Sequence, residues 1–190
     1  EEAHLVVYVG RLDVQKGIPF LLDAAERVAA TRPRWHLAMV GDGPERASLR
    51  ARTDSSAMLS GRAHWLGRRD DVPSVLKAAD LLVLPSLWEG MPNVVLEAMA
   101  ARRAVVATAV EGTEDLVIPG QSGWLVPTKD AEALAGSLED AVDHPDLTRQ
   151  YGEAGRCRIE SEFSVGSVVN AYEHLWAGVL GLEIGAVDGS

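Results

Sequence analysis

Two glutamates, an arginine and a lysine have the types and spacing needed to hold an anion that also carries hydroxyl groups. Glu89 lies in the turn Glu89-Gly90-Met91-Pro92, just after an apolar run, and Glu97 lies within the helical pattern that follows. Pro92 near the start of that helix leaves the backbone N–H groups of Asn93 and Val94 without intrahelical acceptors, so they are free to meet an anionic oxygen. Glu97 falls four residues beyond Asn93, on the same face and about 6 Å further along the axis. A carboxylate there can accept both hydroxyls of a ribose. Glu89, in the turn on the other side of the anion, could accept hydroxyls of a transferred group. The second cluster is Gly10-Arg11-Leu12 with Lys16-Gly17. Its cations flank the mouth of another helix, where the dipole and free N–H groups already favour negative charge. Arg11 could fork onto a phosphate while Lys16 supplies a point charge.

Taken singly, these residues have plainer readings: Arg11 paired with a surface carboxylate, Lys16 solvated, Glu89 complementing a helix dipole, Glu97 exposed on a helix. The elements that position them decide between the two. Leu5–Gly10 is an apolar, β-branched run typical of a strand buried on both faces, and a helical pattern through Phe20, Ala24, Val28 and Ala29 stops at Pro33. Further strands are predicted at Trp35–Val40, Ala63–Leu66, Leu81–Leu84, Val105–Thr108 and Gly123–Val126. Helices are predicted at Glu45–Arg52, Val72–Ala79, Pro92–Arg102 and Glu114–Val117, then at Ala131–Val142, Leu147–Glu162 and Val165–Leu180, with Pro145 and Ser164 marking starts of the last two and Gly181–Ser190 frayed. Such alternation specifies an α/β fold: a Rossmann-like doubly wound parallel sheet of about six strands, with helices on both faces. In the common strand order the switch point lies between the first and fourth strands, and ligands bind above it. The turns after those two strands carry Arg11, Lys16 and Glu89, so one pyrophosphate could bridge both helix mouths.

Composition removes several classes of function. The formal net charge is −10 and no Lys/Arg cluster forms a basic stripe, so no nucleic-acid partner is expected and any phosphate site must be local. No apolar run is long enough for a transmembrane segment, and Glu1-Glu2-Ala3-His4 lacks the features of a signal peptide. The single cysteine, Cys157, is expected partly buried and implies a reducing, cytoplasmic setting. Five scattered histidines, with no i,i+4 pair, give no metal site, and no Ser-His-Asp arrangement supports a nucleophile. Gly41-Asp42-Gly43 follows the second strand and lacks the full dinucleotide-binding spacing, so it is read as a turn.

In order along the chain, Gly10-Arg11-Leu12 with Lys16-Gly17, Val40-Gly41-Asp42-Gly43-Pro44, Leu66-Gly67, Pro85-Ser86, Glu89-Gly90-Met91-Pro92 and Leu96-Glu97-Ala98-Met99-Ala100 resemble the C-terminal domain of family 4 retaining glycosyltransferases of the GT-B fold, from about Leu5 to Phe163. The resemblance implies that Arg11 and Lys16 bind the donor diphosphate, Glu97 the ribose and Glu89 the donor sugar near its reacting carbon. It also implies that backbone from Gly90 through Met91 and Asn93 to Val94 meets phosphate and sugar, and that Leu66, Gly67 and Arg68 lie beside the base. No metal or other cofactor is implied; the donor is a nucleoside-diphosphate sugar such as a UDP- or GDP-sugar. Arg102 and Ala104 stand where the family usually has Gly and Pro, Glu111 where it has Gly, and Asp115 where it has Glu.

The domain division expected is a nucleotide-sugar-binding domain over residues 1–163 and a C-terminal helix with a flexible tail over 164–190. A GT-B enzyme has a second Rossmann-like domain, here expected to be missing, and the Val165–Leu180 helix resembles the one that crosses to it. On this reading the chain is the donor-binding half of a hexosyltransferase, inactive alone, in which Arg11, Lys16 and Glu89 serve catalysis. Membrane association through the missing domain is left open. The alternative is a noncatalytic nucleotide-binding or regulatory module of the same fold.

Overall fold

The computed structural model describes residues 3–181. Six strands, β1 (His4–Val9), β2 (Trp35–Val40), β3 (Ala63–Gly67), β4 (Leu81–Leu84), β5 (Ala104–Thr108) and β6 (Gly123–Val126), form one sheet in the order β3-β2-β1-β4-β5-β6. Every pairing is parallel. The switch point therefore falls between β1 and β4, as expected from the alternation of apolar runs and helical patterns. Strands β4 and β5 are buried along their whole length, which accounts for their continuous rather than alternating hydrophobicity.

The first unit of the chain contains the sheet and the helices α1 (Ile18–Thr31), α2 (Arg46–Ser55), α3 (Val72–Ala78), α4 (Asn93–Ala100), α5 (Thr113–Leu116) and α6 (Ala131–Asp143). Helix α1 contacts α2 and α6, while α4 contacts α3 and α5, giving the two helical layers that right-handed crossovers produce. Gly17 in the left-handed region and Pro19 in the first turn start α1. Asp130 caps α6 by accepting from the N–H groups of Glu132 and Ala133. Leu21, Leu22 and Val28 of α1 and Leu134 and Leu138 of α6 are buried, each worth about 1.5–3 kcal/mol of transfer free energy.

Several boundaries differ from the sequence expectation for local reasons. Strand β1 starts a residue earlier because His4 N–H donates to the Arg34 carbonyl at 3.0 Å. Helix α7 (Pro145–Glu162) begins two residues ahead of the Leu147 pattern, at Pro145, the start marked in the sequence, because a missing N–H costs nothing at a first helical position. Cys157 is exposed, not partly buried as expected. The backbone divides within α7 into two compact units, one ending at Arg156 and one starting at Cys157. In the second unit, Arg158 pairs with Glu162 at 3.0 Å and lies 5.6 Å from the Phe163 ring centre. There α8 (Val165–Leu180) is capped by Ser164, which accepts from Ser167 N–H, and it exposes Val169, Tyr172, Leu175, Trp176 and Val179. The frayed tail expected from Gly181 onward lies, beyond Gly181, outside the described residues.

Where the resembled family has glycine, Arg102 takes a left-handed conformation, φ 61°, and donates its N–H to the Met99 carbonyl, closing α4. A side chain in that region is strained by about 1–2 kcal/mol, and the exposed Arg102–Glu153 ion pair returns little of it. Arg102→Gly should therefore raise stability by about 0.5–1 kcal/mol, read as a higher urea midpoint; a lower midpoint would contradict this account.

Arg32 joins α1 to α6, meeting both Asp143 oxygens, at 3.1 and 2.5 Å, and Glu139 at 2.7 Å. The hydrogen bonds from Arg32 hold the Asp143 carboxyl below its ordinary range. Protons thus bind more readily to the unfolded chain, and this stabilisation is complete above the ordinary aspartate pKa and fades as pH falls below about 4. Asp143→Asn should melt at lower temperature than wild type at pH 7, with the gap closing on acidification; a gap independent of pH would refute the linkage.

Candidate functional site

The loops above the carboxyl ends of the strands are set by how closely their backbones approach. Gly41 has φ 138°, and a Cβ there would lie 1.8 Å from the Gly10 carbonyl oxygen. Gly10 N–H donates to Val40, Leu12 N–H to Asp42 and Glu45 N–H to Leu12, each at 3.0 Å. The Gly41-Asp42-Gly43 turn is therefore a brace against the loop that carries Arg11. On the other side of β1, a Cβ on Gly17 would fall 2.2 Å from the Pro85 carbonyl. Leu87 N–H donates to the Gln15 carbonyl at 2.7 Å, and the Gln15 side chain donates to the Trp88 carbonyl at 3.0 Å. The loop after β5 closes the set: a Cβ on Gly112, φ 80°, would sit 1.8 Å from the Gly90 carbonyl. Four loops are thus fitted together largely backbone to backbone, with the Gln15 side chain as an added tie.

Lys16 and Glu89, assigned to two sides of an anion by the sequence reading, are bonded to each other. Lys16 Nζ donates to Glu89 Oε1 at 2.5 Å, and their side chains are only 17% and 7% exposed. Ser86 Oγ donates to the same oxygen at 2.6 Å, and Thr108 Oγ1 donates to the Ser86 carbonyl at 2.5 Å. Arg11 is separate: its side chain is 71% exposed, with Nε 3.2 Å from Asp13 Oδ2. Beneath it the Tyr8 hydroxyl donates to the Arg11 carbonyl at 2.7 Å. Burial, and then the charges of Asp13, Glu89 and Glu45, push the Tyr8 pKa far above its ordinary value, so this hydroxyl stays protonated and serves as a fixed strut.

Helix α4 begins at Asn93 with no side-chain cap, leaving its first N–H groups, including those of Asn93 and Val94, for another acceptor. Gly90, Met91, Asn93 and Glu97 are exposed and Val94 is half-buried. Among the described residues Glu97 has no side-chain hydrogen bond or ion pair. At the β3 end, Gly67 has φ 66° and its carbonyl accepts from Gly41 N–H at 2.8 Å. Arg46, paired with Asp42 at 3.1 Å, has Nη2 3.6 Å from the position a Gly67 Cβ would occupy, and Arg68 is exposed. Glu111 and Asp115, in the loop after β5, are also exposed. Among the described residues no three His, Cys, Asp or Glu side chains group so as to hold a metal ion, and no helix is long and apolar enough to cross a membrane.

Sequence reasoning singled out Arg11, Lys16, Glu89 and Glu97, named Ser86 only as part of a motif and without a role, and missed Thr108, Gln15 and Tyr8. A hydroxyl just before the Glu89 turn and another ending β5 were the available signals, but neither announces a partner without the fold. The backbone contacts give a direct test: Gly41→Ala, at a position where Cβ has no room, should destabilise by more than about 2 kcal/mol. Chemical denaturation would read this; a neutral substitution would show the loops to be loosely held.

Residues 3–144 match the family described as Glycosyl transferases group 1. The lipopolysaccharide core biosynthesis glycosyltransferase LpsE of Rhizobium meliloti is 33% identical over 177 residues, covering 93% of this chain and 50% of that protein. Among solved structures, Anabaena HepE in complex with UDP superposes with TM-score 0.84 at 24% identity, covering 93% of this chain and 49% of that one. The C-terminal domain of a group 1 glycosyl transferase family protein, LpcC of Francisella tularensis, superposes with TM-score 0.79 at 22% identity, covering 86% of this chain and 88% of that one. The chain spans about half the length of the curated relatives it matches. With this sheet, these loops and the family match over most of its length, the chain belongs to the group 1 glycosyl transferases.

Proposed function

We infer that the chain is the nucleotide-sugar donor-binding domain of a retaining, family 4 glycosyltransferase of the GT-B type. The observation that carries this reading is the arrangement at the switch point. Arg11 and Lys16 lie on the loop after β1, Lys16 bonds to Glu89 in the turn after β4, and that turn leads into the uncapped start of α4, with Glu97 further along the helix. Cations and free amide groups suit a diphosphate; carboxylates suit ribose and sugar hydroxyls. Arg11 offers an exposed fork to the phosphates. Lys16 brings a localised charge whose position Glu89 fixes. Gly67 and Arg68 stand where the base would lie, and Gly90, Met91, Asn93 and Val94 where phosphate and sugar would. Anabaena HepE, of like fold, was solved with UDP, which supports the nucleotide part of this assignment.

In the proposed reaction a hexose passes to an acceptor hydroxyl with its anomeric configuration retained. The protein's contribution is electrostatic, since Arg11 and Lys16 stabilise the charge that grows on the departing diphosphate, while Glu89 orients the sugar. No metal is required in this scheme because the two cations neutralise the leaving group. An N-terminal domain would supply the acceptor site. The exposed apolar side chains of α8 suit a helix that crosses to that domain, which would leave the present chain competent to bind donor but inactive alone. We assign the protein to the cytoplasm on its single cysteine.

Calorimetric titration with UDP, GDP and ADP tests the site. Wild type should bind one of them, Arg11→Ala/Lys16→Ala should weaken it at least 100-fold, and Glu97→Ala about tenfold through the lost ribose contact. If wild type binds none of the three better than the double variant, the assignment fails.

A further inference from the structure

Ser86 has no role in the scheme above, yet its hydroxyl is placed unlike the other buried hydroxyls. Thr53, Thr108, Thr113 and Thr148 donate to backbone carbonyls and Ser122 accepts from Ile118 N–H, so each is satisfied by backbone, the usual way for a hydroxyl inside a protein. Ser86, fully buried, donates instead to a carboxylate oxygen of the site, Glu89 Oε1. The second donor to Glu89, Lys16 Nζ, lands on that same oxygen. Among the described residues no donor reaches Oε2.

We propose that Ser86 is a positioning residue for donor-sugar recognition, holding Glu89 by Oε1 so that Oε2 is the acceptor presented to a sugar hydroxyl. This rests on the nucleotide-sugar reading of the site. A free glutamate has three side-chain torsions to order on binding a ligand. Here donors from two different loops fix the carboxylate beforehand, and the cost of ordering it is met in folding. Thr108, at the end of β5, completes the arrangement by holding the Ser86 carbonyl, so a residue buried beneath the site keeps the Ser86 turn in place. Lys16 could by itself hold Glu89 near the phosphates, but one donor leaves the carboxylate free to rotate about that contact. The Ser86 hydroxyl is what sets which oxygen faces outward.

The consequence is separable from general loosening of the site, because Glu89 itself is assigned to the sugar, while Lys16, assigned to the diphosphate, is mounted on a different loop and should keep its own contact with Glu89 Oε1 when the Ser86 hydroxyl is removed. The measurement is paired calorimetry of UDP with UDP-glucose, GDP with GDP-mannose and ADP with ADP-glucose, on wild type, Ser86→Ala, Thr108→Val and Glu89→Gln, with melting temperatures recorded for each. For the pair that wild type binds, Ser86→Ala should leave nucleoside diphosphate affinity within about twofold and weaken the sugar nucleotide about 3–10-fold. In a Glu89→Gln background it should add little further loss. Thr108→Val should act in the same direction more weakly, and carries the test if Ser86→Ala does not fold. Equal losses for both members of the pair, or no loss for either, would make Ser86 merely structural and overturn the proposal. So would a wild type that binds the diphosphate with no gain from the sugar, although the nucleotide reading would then stand. Failure of wild type to bind any of the six would overturn both.

Discussion

The site depends on backbone meeting backbone. Above the carboxyl edge of the sheet, the loops after β1, β2, β4 and β5 approach so closely at Gly17, Gly41 and Gly112 that no Cβ would fit. Parallel strands deliver their chain ends to one edge, but nothing in a parallel ladder fixes how loops from different strands stand relative to one another. Here that role falls to carbonyl oxygens seated against glycine α-carbons and to short hydrogen bonds such as Leu87 N–H to the Gln15 carbonyl. Arg11, Lys16, Ser86 and Glu89 are mounted on these loops, and Asn93 and Glu97 on the helix that one of them starts. Their geometry is therefore settled by folding, which is what electrostatic stabilisation of a leaving group requires.

The polar groups divide according to that frame. Lys16, Glu89 and Ser86 sit low, where the loops meet, and satisfy one another. Arg11, Asn93 and Glu97 sit higher and are exposed. A buried ion pair is costly unless its partners are well matched, and the Lys16–Glu89 contact is helped by a second donor to the carboxylate. The exposed group has no such restriction and can follow a ligand.

Much of this was legible in the sequence. Six apolar runs, five of them ending at Gly or Pro, marked the strands, and their alternation with helical patterns led to the right strand order and switch point. Arg11, Lys16 and Glu89 stood out because charged residues in turns after buried strands have few structural reasons to be there, and Glu97 because it falls on the same helix face as Asn93. What escaped were pairings across the fold. That Lys16 would meet Glu89, or Thr108 the Ser86 carbonyl, depends on loops separated by tens of residues and on approach distances that glycine permits without announcing. Element ends moved by a residue or two wherever a single hydrogen bond decided them, as at His4. The exposure of Cys157 was also missed, because helical spacing alone does not say which face of α7 is covered.

The central place of β1 bears on how the chain folds as well as on where it binds. Strand β1 pairs with β2 soon after it is made, but its other edge waits for β4, and the Leu5 N–H bond to Asp80 spans 75 positions. Closing so long a loop is entropically slow, so the first half of the sheet must persist for a time with an open, apolar edge. An unpaired edge of that kind is the surface on which chains aggregate. The strand junction that makes the cleft is thus also a slow and exposed step of assembly. Substitutions that delay the pairing of β4 would be felt first as poor solubility of the newly made chain.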